Sequence, residues 1–139
     1  MRHQVRKYRL NRPKGPRMLL VSNLAASLIR NEYITTTKAK ANVLKSYIDK
    51  IVVKAKKNDN ANRNQINKML HDKLAIEKLF EDFQKRYKDR ISGFTRIAKM
   101  GYRKGDNTQM VRIEMISEVK KTKQKKAVKK NENKNSKEK

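Results

Sequence analysis

The chain has 139 residues, of which 38 are Lys or Arg and 13 Asp or Glu, a formal net charge of +25. A field of one sign this strong repels itself and points to a polyanionic partner, with nucleic acid ahead of an anionic membrane surface. The absence of cysteine excludes a disulfide framework and a Cys-based zinc site, in keeping with a reducing compartment.

The excess is unevenly spread: residues 1–17 contribute +7 without one acidic side chain, residues 118–139 contribute +7, and the hundred residues between them +11. The first segment, MRHQVRKYRLNRPKGPR, is too charged and too poor in apolar residues to repay its ordering entropy alone. It reads as an arm that is disordered until a polyanion neutralises it. The apolar run MLLVSNLAASLI comes directly after it, giving the outline of a secretory signal. Ser22 and Asn23 interrupt the run, however, no small-residue cleavage site succeeds it, and the run is well short of the roughly 20 residues that span a bilayer.

Leu20, Val21, Leu24, Ala25, Leu28 and Ile29 recur at helical spacing and predict a helix over about 17–30, with Pro16 marking its start. Tyr33 to Thr36 is β-branched and aromatic, a short strand, and Thr37 can cap a helix beginning at Lys38. This second helix is expected over about 38–57, with Val43, Leu44, Tyr47, Ile48, Ile51, Val52 and Ala55 on its inner face. The Asn-rich stretch at 58–62 breaks it, and a weaker helix is expected around Ile66, Met69 and Leu70. Asp72 can cap a fourth helix carrying Ile76, Leu79, Phe80, Phe83 and Tyr87.

Beyond KDRISG the period becomes two, in 94–100 and again in 110–116, so that Val111, Ile113 and Met115 face a core while Arg112 and Glu114 face out. The loop between them, with Gly101 and Gly105, makes a hairpin whose tip presents Arg103 and Lys104. The tail from 118 has no periodicity and is expected to be disordered. It lacks arginine, whereas five of the twelve arginines lie in residues 1–17. Arg makes planar, bidentate phosphate contacts and Lys acts as a hydrated point charge, so the arm suits a fixed fit and the tail diffuse attraction.

No catalytic or metal-binding constellation emerges. His3 and His71 have no local partner, and Glu77, Glu81 and Asp82 lie on a lysine-rich helix where intrahelical pairing is the ordinary explanation. No small-molecule substrate or cofactor is implied. Tyr8, between Lys7 and Arg9, is placed to stack on an unpaired base. RNA is favoured over DNA because the chain lacks zipper heptads and a zinc-finger pattern, while arginine-rich arms that fold on binding suit RNA crevices. Among RNA or DNA binders, an RNA chaperone or a nucleoid-type protein is one reading, and a cationic membrane-surface protein is a more distant one.

The series MRH, NLAASLI, YITTTKAKA, GFTRI and RKGD, in that order, closely resembles the bacterial-type large-subunit ribosomal protein L17 family over roughly residues 1–117. The resemblance implies an α+β fold, a two-layer α/β sandwich in the order helix, strand, three helices, two strands. The strand at 33–36 would pair with the last strand in a small three-stranded mixed sheet. It further implies a structural role, with large-subunit ribosomal RNA and neighbouring ribosomal proteins as partners, near the outer end of the peptide exit tunnel. Arg2 and His3 match the family's opening, Thr35, Thr36, Lys38, Ala39 and Lys40 its TTxxKAK-like element, and Thr95 and Arg96 its Thr-Arg pair. Pro16 stands where the family usually has a histidine, and Tyr33 where a basic residue is common. Taken with the residue-level reading, the expected RNA contacts are Arg2, His3, Arg6, Lys7, Tyr8, Arg9, Arg12, Lys14, Arg17, Thr36, Lys38, Lys40, Arg96, Arg103 and Lys104. The expected organisation is an RNA-binding arm over 1–17, a globular domain over 18–117 and a lysine-rich tail over 118–139.

Overall fold

The structure, a computed structural model, describes residues 8–117. The elements run α1 (Lys14–Asn31), β1 (Tyr33–Thr37), α2 (Lys38–Lys57), α3 (Asn60–Met69), α4 (Lys73–Lys78), a π-helical turn (Leu79–Phe83), α5 (Gln84–Arg86), β2 (Thr95–Tyr102) and β3 (Gln109–Met115). The order is the expected one and the class is α+β.

Helix α1 begins three residues before the expected start, so that Pro16 lies inside its first turn. The first four N–H groups of a helix have no intrahelical acceptor, and a proline there costs nothing that the helix needed. In the residues just before it Leu10 and Asn11 have positive φ, and the Arg12 N–H donates to the Arg9 carbonyl at 3.1 Å, which makes a turn. Thr37 stands at the start of α2 but its side chain makes no capping hydrogen bond. Asp72 does cap α4, accepting from the N–H groups of Leu74 and Ala75. The Asn-rich break is shorter than expected, because Asn58 alone turns into the left-handed region and α3 resumes at Asn60.

The continuous segment 73–86 is not one regular α-helix. Its buried positions Ala75, Leu79, Phe83 and Tyr87 recur every four residues. Such a row drifts around an α-helix of 3.6 residues per turn, and a wider i→i+5 turn over Leu79–Phe83 brings it back over the core. Phe80, expected inside, is only partly buried and lies under the Arg63 guanidinium at 4.7 Å.

The sheet order is β1-β3-β2, and both pairings are antiparallel. The expected mixed sheet is therefore corrected. Strands β1 and β2 run in the same direction, but β3 lies between them and no parallel ladder forms. One face packs on the helices: Thr36 and Val111 are partners in the β1–β3 ladder, and both are buried with Ile113, Met115 and Thr95. The core joins these to Leu28 and Ile29 of α1 and to Leu44, Ile48, Ile51 and Val52 of α2. At its far end Tyr87 stacks on Phe83 at 5.7 Å and meets Phe94 edge-on at 5.1 Å, while its hydroxyl donates to the Ile116 carbonyl at 2.6 Å. Burial raises the Tyr87 pKa, so this hydroxyl keeps its proton and remains a donor.

Candidate nucleic-acid interface

Of the expected contacts, Arg2, His3, Arg6 and Lys7 lie outside the described residues, as does the tail from 118. The remainder, Thr36 apart, separate into three places. The first is the N-terminal end of α1. Tyr8, Arg9, Arg12 and Lys14 are exposed and Arg17 is half-buried, with the Arg17 N–H donating to the Pro13 carbonyl at 3.1 Å and its guanidinium reaching the Arg12 carbonyl at 3.4 Å. No acidic residue occupies the first turn, and the residue before the helix, Pro13, supplies no side-chain cap. A helix start already carries the positive end of the peptide dipole, so four cations around it raise each other's energy. Uncapped N–H groups at a helix start are suited to an anion.

The second place is the end of the sheet where β3 begins. Thr37 pairs with Met110, which also pairs with Gly101 of β2, so the first turn of α2 and the hairpin loop share this end. Lys38 is exposed and Lys40 half-buried here, again at a helix start with no acidic residue in its first turn. In the loop, Arg103 is engaged within the protein: its Nε donates to Asp106 Oδ1 at 3.1 Å and its Nη2 to Oδ2 at 2.5 Å. The Asp106 carboxylate also accepts from the Thr108 N–H. Arg103 first and Thr108 next hold the Asp106 pKa well below the usual carboxylate range. Of the two expected tip residues, Lys104 is therefore the free cation and Arg103 braces the turn, in which Gly105 and Asn107 adopt positive φ.

The third place is Arg96, exposed on the outer face of the sheet opposite Glu114, at the end away from Lys38 and Lys104. Thr36 belongs to none of these. It is 8% exposed on the inner face of β1, and alternation along the strand turns it toward the helices. Its expected contact with RNA is withdrawn on that ground. The acidic residues also differ from expectation. Glu77, Glu81 and Asp82 make no ion pair among the described residues, and the pairs present are Arg30–Asp72, Lys78–Glu32, Arg86–Glu32 and Arg103–Asp106.

The residue-by-residue reading missed one basic surface. Lys50, Lys54 and Lys57, on α2, line a groove of about 410 Å³ with Asp49, Val53 and Asn62. Their spacing of four and three residues puts them on one helix face, a signal that was present in the sequence. Among the described residues no group of three His, Cys, Asp or Glu side chains is placed to hold a metal ion, and no helix is long and apolar enough to cross a membrane.

Residues 20–116 match the family model described as ribosomal protein L17. The chain belongs to the ribosomal protein L17 family. Curated relatives carry the same assignment under the name large ribosomal subunit protein bL17. The protein from Hyphomonas neptunium is 42% identical over 116 residues, covering 84% of this chain and 83% of the relative. The one from Rickettsia canadensis is 43% identical over 116 residues, 84% and 85% of the two chains. As a member of the L17 family the chain has a structural, non-enzymatic role in the large subunit of the cytoplasmic ribosome.

Proposed function

We propose that the chain binds and stabilises large-subunit ribosomal RNA near the outer end of the peptide exit tunnel, in contact with neighbouring ribosomal proteins. The observation that carries the RNA reading is the N-terminal end of α1, where Arg9, Arg12, Lys14 and Arg17 surround an uncapped helix start with no acidic side chain in the first turn. The helix–sheet body acts as a rigid plug. The arm, including Arg2 and Arg6, threads between RNA helices and neutralises phosphates that would otherwise repel one another during assembly. The exit-tunnel location is supported by the family's identity.

Engaging about seven phosphates gives a log–log dependence of affinity on salt with a slope on the order of −5 to −6. Titrating the full chain against large-subunit RNA across a salt series tests this, and a slope near −1 would sink it. The location is tested separately. Since the sequence has no cysteine, a single Cys introduced at Lys104 can carry an iron chelate, and hydroxyl-radical cleavage within the assembled subunit should fall on RNA bordering the tunnel exit. Cleavage confined to the subunit interface would refute the location while leaving RNA binding intact.

A further inference from the structure

Among the described residues the outer face of the sheet has no covering layer, and at one end it carries a set of side chains around Arg96. Tyr33, Glu114 and Arg96 form one cross-strand row, about 10 Å from β1 to β2. Tyr33 is 52% exposed. The Arg112 guanidinium, on the same face of β3, lies 3.9 Å from the Tyr33 ring centroid. Arg112 Nε is covered and has no acceptor, and Arg112 makes no ion pair among the described residues. This guanidinium is therefore held against the ring by stacking, and the ring is fixed in orientation with much of its surface open.

We propose that this end of the sheet holds one unpaired RNA nucleotide, its base stacked on Tyr33, its polar edge at Glu114 and its backbone phosphate at Arg96. The inference rests on the RNA-binding reading and adds a base contact to it. An aromatic ring braced by a guanidinium is a platform for a splayed-out base, since every base has a π face. A carboxylate beside the ring accepts from exocyclic amino groups, so bases that carry one, such as cytosine, are favoured. A cation on the other side of the carboxylate receives the phosphate. The surrounding charge favours RNA over an apolar protein segment: Arg96 and Arg112 outnumber the one acid, Glu114, on the outer face of these two strands.

The test uses large subunits assembled with the full chain, with Tyr33→Phe, with Tyr33→Ala or with Tyr33→Leu, with occupancy of the protein measured by mass spectrometry. The Leu variant keeps apolar bulk on the strand and covers the case in which Ala loosens it. Chemical modification of base edges is then compared at full occupancy. The same base should be protected by the wild-type and Phe chains and become about fivefold or more reactive with Ala and Leu. Identical modification patterns for all four chains overturn the proposal, which is also the outcome if another ribosomal protein covers Tyr33. A wild-type chain that never enters the particle instead brings down the RNA-binding reading itself.

Discussion

At its N-terminal end α1 gathers Arg9, Arg12, Lys14 and Arg17 with no ion pair among the described residues, whereas at its C-terminal end Arg30, Lys78 and Arg86 are each paired. There Arg30 pairs with Asp72 at 3.2 Å. Glu32, in the left-handed conformation that ends the helix, accepts two hydrogen bonds from Arg86 at 3.0 and 3.1 Å and pairs with Lys78 at 3.3 Å. A cation in the last turn also suits the helix dipole, and cations in the first turn oppose it. One end of the helix is thus electrostatically paired within the protein, and the other has no counter-charge among the described residues. A count of basic residues treats the two ends alike, and only the pairing pattern separates them.

The largest expected effect comes from removing the difference. Replacing Arg9, Arg12, Lys14 and Arg17 together with Gln should lower the magnitude of the salt slope for RNA binding by about 3 units, roughly 0.7–0.9 for each of the four lost phosphate contacts. Thermal stability of the free protein should hold steady or rise, because the four charges raise each other's energy. A variant that keeps the wild-type slope would show that the N-terminal end is not the contact. The matching change at the other end is Glu32→Gln. It should destabilise folding by about 1 kcal/mol, a modest figure because the pair is partly solvated, and should leave the salt slope unchanged. Urea unfolding and the same titration read both quantities.

A pH series sharpens the same contrast. The hydrogen bond from Arg86, with Lys78 assisting and burial opposing, holds the Glu32 pKa below its ordinary value of 4.5. The stabilisation is therefore complete above about pH 4.5 and is lost as the pH falls through the lower folded-state value. Wild-type stability should drop over that acid range by more than that of Glu32→Gln, as measured by the unfolding midpoint at each pH. The smallest effect is expected at the hairpin. Asp106→Asn releases Arg103 from its carboxylate, and the salt slope should steepen by at most about 1 unit. Lys104→Gln should reduce it by a similar amount. If Arg103→Gln alone weakens RNA binding as strongly as Lys104→Gln, the bracing role assigned to Arg103 is wrong.

How far these features can be read from the sequence depends on the range of the interaction responsible. Helix α2 is legible to its ends, since its apolar period, Thr37 and Asn58 are all local signals. The cap at Asp72 is legible for the same reason. The π turn is not, because residues four apart look alike whether the backbone is α or π. The early start of α1 is hidden by Pro16, which can mark a boundary or sit harmlessly inside a first turn. At the site, the cluster at 9–17 is visible as composition, and the groove lysines are visible as spacing. The burial of Thr36 accords with strand alternation, and its selection as a contact came from the family resemblance, which speaks for the segment and not for the face. The stacking of Arg112 on Tyr33 joins residues 79 positions apart and has no local trace.

The strand order has a consequence for how the molecule is made. β3 is the central strand and the last element described, and among the described residues both β1 and β2 bond only to it. During synthesis the two edge strands exist with no neighbour until residues 109–115 emerge, so the sheet closes in one late step. The pairing of α1 and α2, and of α2 and α3, needs only residues already made. The basic start of α1 is consequently made before the sheet can close, and ordering of the helical layer can precede completion of the chain.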